Sequence, residues 1–447
     1  MSIALSRAMS RTGARRAAAR VLVSRPAYRL FTLVPATAAL VARAAFRTAR
    51  DGILEAALDR LARRDPPPTT AQVLRADLWT FQGRYGDALR VAESAAVADP
   101  SSAAAAARVV RLSYRVRERV DADRVAVAAV ERFPLTPEVV WQAALACQTP
   151  AQYGRLHSAW QARATDPSDL PKVVRQFGVA AVRAGEVDAA AALYRQAVRV
   201  LLTSPGPVPP AAVTRLAGLG ARQAVRDLCD ALDRAGVPFF FAAGTALGLI
   251  REGRPLGADG DIDVGVYDAD WDRDGLIDVF TRDPRFDLDL HPQSHKVGLR
   301  HRGGSPVDIF RFYEQDGRVW HDGVFVRWHN SPFGVVRRQI GGLSVPLPEN
   351  AERYLTECYG DWRTPVPAFD AFTEDAPNLE VTWPEYQRVH FLRRAYERLA
   401  GGDREAARRE LERAGERDLA DLENLADLDA REAREAREAQ ARNSSSG

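Results

Sequence analysis

The stretch FFFAAGTALGLIREGRPLGADGDIDVGV, Phe239 to Val266, decides how this chain is read. Its opening apolar residues predict a buried strand. The chain then turns through Gly244-Thr245, enters a short helical pattern ending near Arg251, loops from Gly253 to Gly260, and begins a second strand carrying Asp261 and Asp263. Residues two apart on a strand point to the same side. Both carboxylates therefore face one way, beside a turn whose backbone N–H groups are free. That combination suits divalent cations next to a nucleotide phosphate.

Working outward, the next acid of interest is Asp308, in PVDIFRFY. Val307, Ile309 and Phe310 mark a buried strand around it. A lone carboxylate in such company is costly unless it is paired, protonated or on a metal. Asp308 is the candidate third carboxylate, and Asp259, two residues before Asp261, is a candidate fourth ligand. Phosphoryl transfer asks little covalent chemistry of a protein. It asks that metal, phosphate and nucleophile be held in line and that negative charge be offset. Three carboxylates on neighbouring strands meet that need.

The flanking regions differ in character. The chain has 447 residues, enough for two to four domains, and is 46% hydrophobic, enough to bury real cores. Its 62 basic and 59 acidic residues nearly cancel, which argues against a general nucleic-acid binder. Three widely spaced cysteines, Cys147, Cys229 and Cys358, fit a reducing compartment and offer neither a disulfide framework nor a zinc site. Residues 1–50 hold ten arginines and no acid, which predicts a basic segment at an anionic membrane surface. Leu30 to Phe46 is interrupted by Pro35 and Arg43, too short for a membrane span, and no signal-peptide cleavage site stands out.

Asp99-Pro100, Phe133-Pro134 and Asp166-Pro167 recur 34 and 33 residues apart. Upstream of Pro100 stand Gly83, Tyr85, Ala88, Ala92 and Ala95. Small residues at this spacing let antiparallel helices approach, and the proline stops the second. The pattern resembles the tetratricopeptide repeat, in about four copies, and implies a docking surface for a protein partner. SPGPVPP, 204–210, reads as a linker. A helix is predicted from about Ala211 to Ala235 and another from Pro384 to Leu399, and Asp403 to Arg442 reads as a solvated charged helix or hairpin. The expected boundaries are 1–50, 51–203, 204–210, 211–383, 384–442 and a disordered tail at 443–447.

The strand, Gly-Thr turn, Asp-Ile-Asp strand and further Asp-bearing strand are organised like the polymerase-β-like nucleotidyltransferase fold. More specifically, GTALGLIREG followed by DGDIDVGVYD resembles the LicD/fukutin family of phosphotransferases. HKVG (His295 to Gly298), VDIFRFYEQDGRVWHDG (Val307 to Gly323), VPLP (Val345 to Pro348) and YLTECYGDWRTPVPAFD (Tyr354 to Asp370) follow in the order of the fukutin-like branch. The resemblance covers roughly residues 236 to 380. The expected fold is therefore α+β: a nucleotidyltransferase core domain, preceded by an all-α helical-repeat domain and followed by a charged helical tail.

The resemblance implies transfer of a phospho-alcohol from a CDP-activated donor, with ribitol, choline or glycerol as the alcohol, to a hydroxyl of a cell-surface glycan. It implies Mg²⁺ or Mn²⁺ on Asp261, Asp263 and Asp308, with Asp259 as a further ligand. Gly244 and Thr245 would cradle phosphate. Arg251, His295, Lys296 and Arg311 would meet the donor or buttress the acidic loop; Lys296 is one of only two lysines in the chain. The expected location is cytoplasmic, at the inner face of the membrane. One departure stands out: the family's loop is close to Pro-Trp-Asp-Asp-Asp-Ile-Asp, whereas this chain has Gly257-Ala258-Asp259-Gly260-Asp261-Ile262-Asp263. Two other readings remain: an NMP transferase using an NTP, and a non-enzymatic repeat adaptor with a decayed catalytic domain.

Overall fold

A computed structural model describes residues 42–46, 51–63, 67–203, 219–257, 259–289, 293, 295–366 and 369–419. Most of the basic segment 1–50, the linker 204–210, Ala258, and the chain from residue 420 onward, including the expected tail, lie outside these residues. The chain divides into two compact units, Met1–Glu118 with Val213–Thr382 and Arg119–Ala212 with Trp383–Gly447. Among the described residues no helix is long and apolar enough to cross a membrane.

The first unit mixes helices and sheet. It begins with α1 (Asp51–Ala62), α2 (Thr69–Phe81), α3 (Tyr85–Ala98) and α4 (Ala103–Val116). Leu54, Leu58 and Leu61 of α1 bury against Ala71, Leu74 and Leu78 of α2. Between α2 and α3 the chain reverses at Gly83, whose φ of +71° favours glycine. Ala88, Ala92 and Ala95, the small residues of the repeat pattern, are fully buried and let α2 and α3 pack closely. Ser102 caps α4 by accepting from the Ala105 N–H.

The second unit is helical. It comprises α5 (Arg119–Arg132), α6 (Pro137–Ala146), α7 (Pro150–Gln161), α8 (Leu170–Arg183) and α9 (Val187–Thr203), joined by two helices from the far end of the chain. Helices thus occupy the positions that the 34-residue spacing predicts. The fold, however, shares the 51–203 segment between two units, with α1–α4 in one and α5–α9 in the other.

The rest of the first unit follows in chain order: α10 (Leu219–Ala235), β1 (Phe240–Phe241), α11 (Ala243–Glu252), β2 (Ile262–Tyr267), α12 (Arg273–Thr281), β3 (Phe286–Leu288), β4 (Lys296–His301), β5 (Pro306–Gln315), β6 (Arg318–Asp322), β7 (Val326–Asn330), β8 (Val335–Ile340), β9 (Leu343–Pro348), α13 (Ala351–Tyr359) and β10 (Leu379–Val381). Eight strands form one sheet in the order β1-β2-β5-β6-β7-β10, with β3 and β4 branching from β5; β8 and β9 make a separate hairpin. The long strand β5 is the axis. It pairs in parallel with β2 along one edge, and with β4 and then β6, both antiparallel, along the other.

Alternation on these strands separates two faces. Ile262, Val264 and Val266 of β2 and Val307 and Ile309 of β5 point into one core with Val225, Leu228 and Leu232 of α10. Asp263, Gly265, Asp308 and Phe310 fall on the other face. Gly265 is glycine for a reason, since a Cβ there would enter the Phe240 ring.

The last two helices, which belong to the second unit, are α14 (Pro384–Ala400) and α15 (Arg404–Arg413). α14 packs on α9, and its Tyr396 hydroxyl donates to the Pro171 carbonyl at 2.5 Å. The charge of the segment from Asp403 predicts a solvated helix, yet its opening turns are packed. Ala406, Ala407, Glu410 and Leu411 are buried, and Glu410 accepts from Arg394 at 2.8 Å. The high charge of α15 hides a narrow apolar stripe at helical spacing, which one partner helix suffices to cover.

In the first unit, α4 is tied to the sheet by ions. Asp287 of β3 has no exposed side-chain surface. It pairs with Arg111 and lies 3.7 Å from Arg115 and 3.5 Å from Arg300, while Arg115 also donates to the Leu288 carbonyl. The face of α4 that carries Arg111 and Arg115 is therefore occupied by the sheet domain. Removing one partner of such a buried group costs on the order of 3–5 kcal/mol. Asp287→Ala is expected to lower the melting temperature markedly in a thermal unfolding measurement; a variant as stable as wild type would show that this anchor contributes nothing.

Candidate active site

The Gly-Thr turn opens α11, and three contacts hold it, two to β2 and one to α13. The Ala242 N–H donates to the Asp263 carbonyl at 3.1 Å. The Asp263 N–H donates to Thr245 Oγ1 at 2.9 Å. The Ala243 N–H donates to the Tyr354 hydroxyl at 3.0 Å, with Ala243 held at a φ of +42°. Thr245 is fully buried. Its hydroxyl therefore positions the strand that carries Asp263. Helix geometry leaves the first-turn N–H groups of α11 without intrahelical acceptors, and that of Ala243 is taken up by Tyr354.

Gly244 packs directly under the Asp259 carboxylate, where any Cβ would collide with it. Gly248, a turn further along, does the same for the incoming loop: a Cβ there would lie 2.6 Å from the Leu256 nitrogen and 2.8 Å from the Arg254 carbonyl. These glycines let the acidic loop wrap tightly over α11. Asp259 accepts from the Gly260 N–H at 2.9 Å through Oδ1, while its Oδ2 is buried without a hydrogen-bond partner.

The parallel register of β2 and β5 sets Asp263 directly beside Asp308. Burial first, and then its acidic neighbours, raise the carboxyls around this point. Asp259 is pushed up to about 6 by burial. Asp261 is pushed up to about 7 by burial, then by the charges of Asp308 and Asp259. Asp263 is pushed well above the ordinary range by burial, then by Asp261, Asp259 and Asp308. Like charges this close disfavour one another's ionisation, and a cation would relieve them.

One cation is already there. Lys296 Nζ lies 2.6 Å from Asp308 Oδ2. Burial works against the ammonium charge, and Asp308, Asp289 and Asp261 outweigh it, raising the Lys296 pKa. Asp289 joins the group although sequence reasoning does not single it out. The Cα of Gly298, which pairs with Asp308 across β4 and β5, lies against the Asp289 carboxylate, where a Cβ would collide. Burial and the Asp308 charge raise the Asp289 carboxyl, although the residue keeps an exposed surface. The signal is present in Phe286-Asp287-Leu288-Asp289, two acids in an apolar run, the same pattern that singles out Asp308. Tyr359 is also close: its phenol is raised by burial, then by Cys358 and by Asp263, Asp259 and Asp261.

Three other candidates fare differently. His295 precedes Lys296 with its Nε2 buried and unpartnered, and burial, then Lys296, lowers its pKa. Arg251 donates to the Trp362 carbonyl at 3.0 Å and so braces the segment after α13. Arg311, three residues from Asp308, falls on the opposite face of β5 and pairs with Asp268 on the surface. Neither of these two arginines faces the carboxylates as the structure stands.

The donor set has the chemistry of a divalent-cation site: several crowded carboxylates, an orphaned buried oxygen and no competing thiolate. Among the described residues, however, no three such groups have already converged into a closed cage. Nor do these carboxylates line either of two cavities in this unit, of about 480 Å³ beside Arg338 and Asn350 and about 300 Å³ beside Phe239 and Tyr267. The chemistry of the side chains, not concavity, marks this site.

A glycine-backed acidic cluster thus lies beside a helix N-terminus on a parallel strand pair. Residues 236–350 match the family described as LicD/FKTN/FKRP, nucleotidyltransferase domain, and this segment is a LicD/fukutin-like domain. Over 182 residues the chain is 27% identical to ribitol-5-phosphate transferase FKTN of Macaca fascicularis and 26% identical to that of Homo sapiens. Each match covers 37% of this chain and 38% of the relative, so the chain spans well under half the length of these proteins.

The raised carboxyls have a measurable sign. A carboxyl whose folded-state pKa lies above its unfolded value, about 3.9 for Asp, favours folding fully below that value and loses the contribution as pH climbs through the folded one. For Asp261 the window runs from about 4 to about 7. Metal-free Asp261→Asn is therefore expected to melt a few degrees above wild type at pH 8, the gap closing toward pH 4. Equal melting at pH 8 would refute the crowding of charge.

Proposed function

We propose that this domain transfers a phospho-alcohol from a CDP-activated donor to a hydroxyl of a glycan or glycopolymer. The observation that carries the reading is the Asp259–Asp261–Asp263 group set against the glycine-backed N-terminus of α11, within a segment related to ribitol-5-phosphate transferases. The acceptor oxygen attacks the phosphorus bearing the alcohol. The bond from that phosphorus to the CMP oxygen breaks, CMP leaves with its electron pair, and the hydroxyl proton passes to a carboxylate of the cluster. The end of α11 receives donor phosphate, and Thr245, by holding the Asp263 backbone, fixes where the acids stand.

Mg²⁺ or Mn²⁺ is the cofactor of this reading, held among Asp259, Asp261 and Asp263; when bound it offsets the charge that builds on the donor diphosphate. Placement at the cytoplasmic face of a membrane, through the basic residues 1–50, belongs to the same proposal, as does a protein partner on the helices. That partner would use surfaces other than the α4 face that meets β3.

The nucleotidyltransferase description attached to the family supports a second reading, NMP transfer from an NTP. A decayed domain is the poorest fit, because the acids of β2 and β5 stand side by side in register.

The discriminating measurement is a melting-temperature screen with Mn²⁺ against CDP-ribitol, CDP-glycerol, CDP-choline and the four NTPs, since a ligand that binds only the folded state stabilises it. A CDP-alcohol is expected to raise the midpoint and, with a glycan extract, to release CMP. Stabilisation by an NTP alone would overturn the assignment. Asp263→Asn is expected to abolish CMP release, a loss of about a thousandfold or more, while keeping the fold.

A further inference from the structure

The five carboxylates fall into two groups. Asp259, Asp261 and Asp263 belong to the loop and β2. Asp308 and Asp289 lie on the β4 side. There the chain has built a place for one more residue. Lys296 and Gly298 stand on the same face of β4, and Gly298 is directly opposite Asp308. Because Gly298 has no Cβ, the Asp289 carboxylate packs onto its Cα beside Asp308. The Lys296 stem runs over the Phe310 ring, with the ammonium 5.6 Å from its centroid, and delivers its charge to Asp308 at 2.6 Å.

We propose that the Lys296 ammonium takes the place of a second metal ion, so that the site binds one divalent cation on the Asp259–Asp261–Asp263 side while Asp308 serves as the lysine's counter-ion and not as a ligand. This rests on the metal-dependent reading above. A lysine has a fixed single charge and cannot be stripped by a chelator. In this arrangement it keeps the β4 side neutralised before any donor arrives and presents an N–H donor at the edge of the acidic group. Only the first group then responds to metal.

Equilibrium titration of the metal-free protein with Mn²⁺, followed by the loss of the free-ion paramagnetic resonance signal and by calorimetry, tests this without any substrate. Wild type is expected to bind one ion per chain. Two ions would overturn the lysine's role and leave the metal-dependent reading intact; none would overturn that reading and this inference with it. Lys296→Met is expected to bind two ions, because Asp308 and Asp289 are released to a second cation, and a stoichiometry of one in this variant would overturn the proposal. Lys296→Arg, which keeps the charge, is expected to stay at one. Asp308→Asn is expected to leave the wild-type Mn²⁺ affinity within about threefold, whereas a loss of about tenfold or more, near 1.4 kcal/mol, would make Asp308 a ligand and overturn the proposal.

Discussion

The parallel pairing of β2 with β5 is the constraint on which the site depends. Its register sets Asp263 beside Asp308 on the face turned away from Val264 and Ile309. Because strand residues alternate, the same apolar packing that seats the inner face aims the acids outward together. A shift of β2 by one residue would put Asp263 into the core, where it could not be tolerated. The hydrophobic core therefore enforces the geometry of the charged group, and the contacts of Thr245 and Ala242 with the Asp263 backbone lock the neighbouring helix to that register.

Holding that group together works against stability. Asp261 and Asp263 are raised by burial and by acidic neighbours, as like charges held close together must be. The surrounding unit supplies rigid support. Glycines at 244, 248, 265 and 298 permit approaches that no side chain would allow. Arg111 and Arg115 of α4 secure the β3 strand that leads into Asp289. The first helices are thus structural partners of the sheet.

Much of this is legible in sequence. Helices stand where the proline spacing and buried alanines predict them, and α14 follows its Val389, Leu392 and Tyr396 stripe, all three buried. The acids of the loop and of β5 stand out because a carboxylate in an apolar run is conspicuous. Arg251 and Arg311 lie close to the acids in sequence, and the structure gives them other partners, the Trp362 carbonyl and Asp268. Proximity does not say on which face of a strand a side chain emerges, or whether a backbone group reaches it first. Asp289 stands in an apolar run as Asp308 does, but its link to the group arises through Gly298, a neighbour only across a strand pair.

The sequence by itself determined which residues carry the charge, where the strand and helix periods change, and, through ordered motifs from GTALGLIREG to YLTECYGDW, the family of the domain. These are properties of local order along the chain, and a reader of residues can recover them. Only the tertiary structure decided that Asp308 is paired with Lys296, that Asp289 joins it, and that the helices after residue 118 fall in a different unit from those before it. Those outcomes depend on strand register and on which segments meet in space. They are set by long-range packing, for which residue order alone carries no distance.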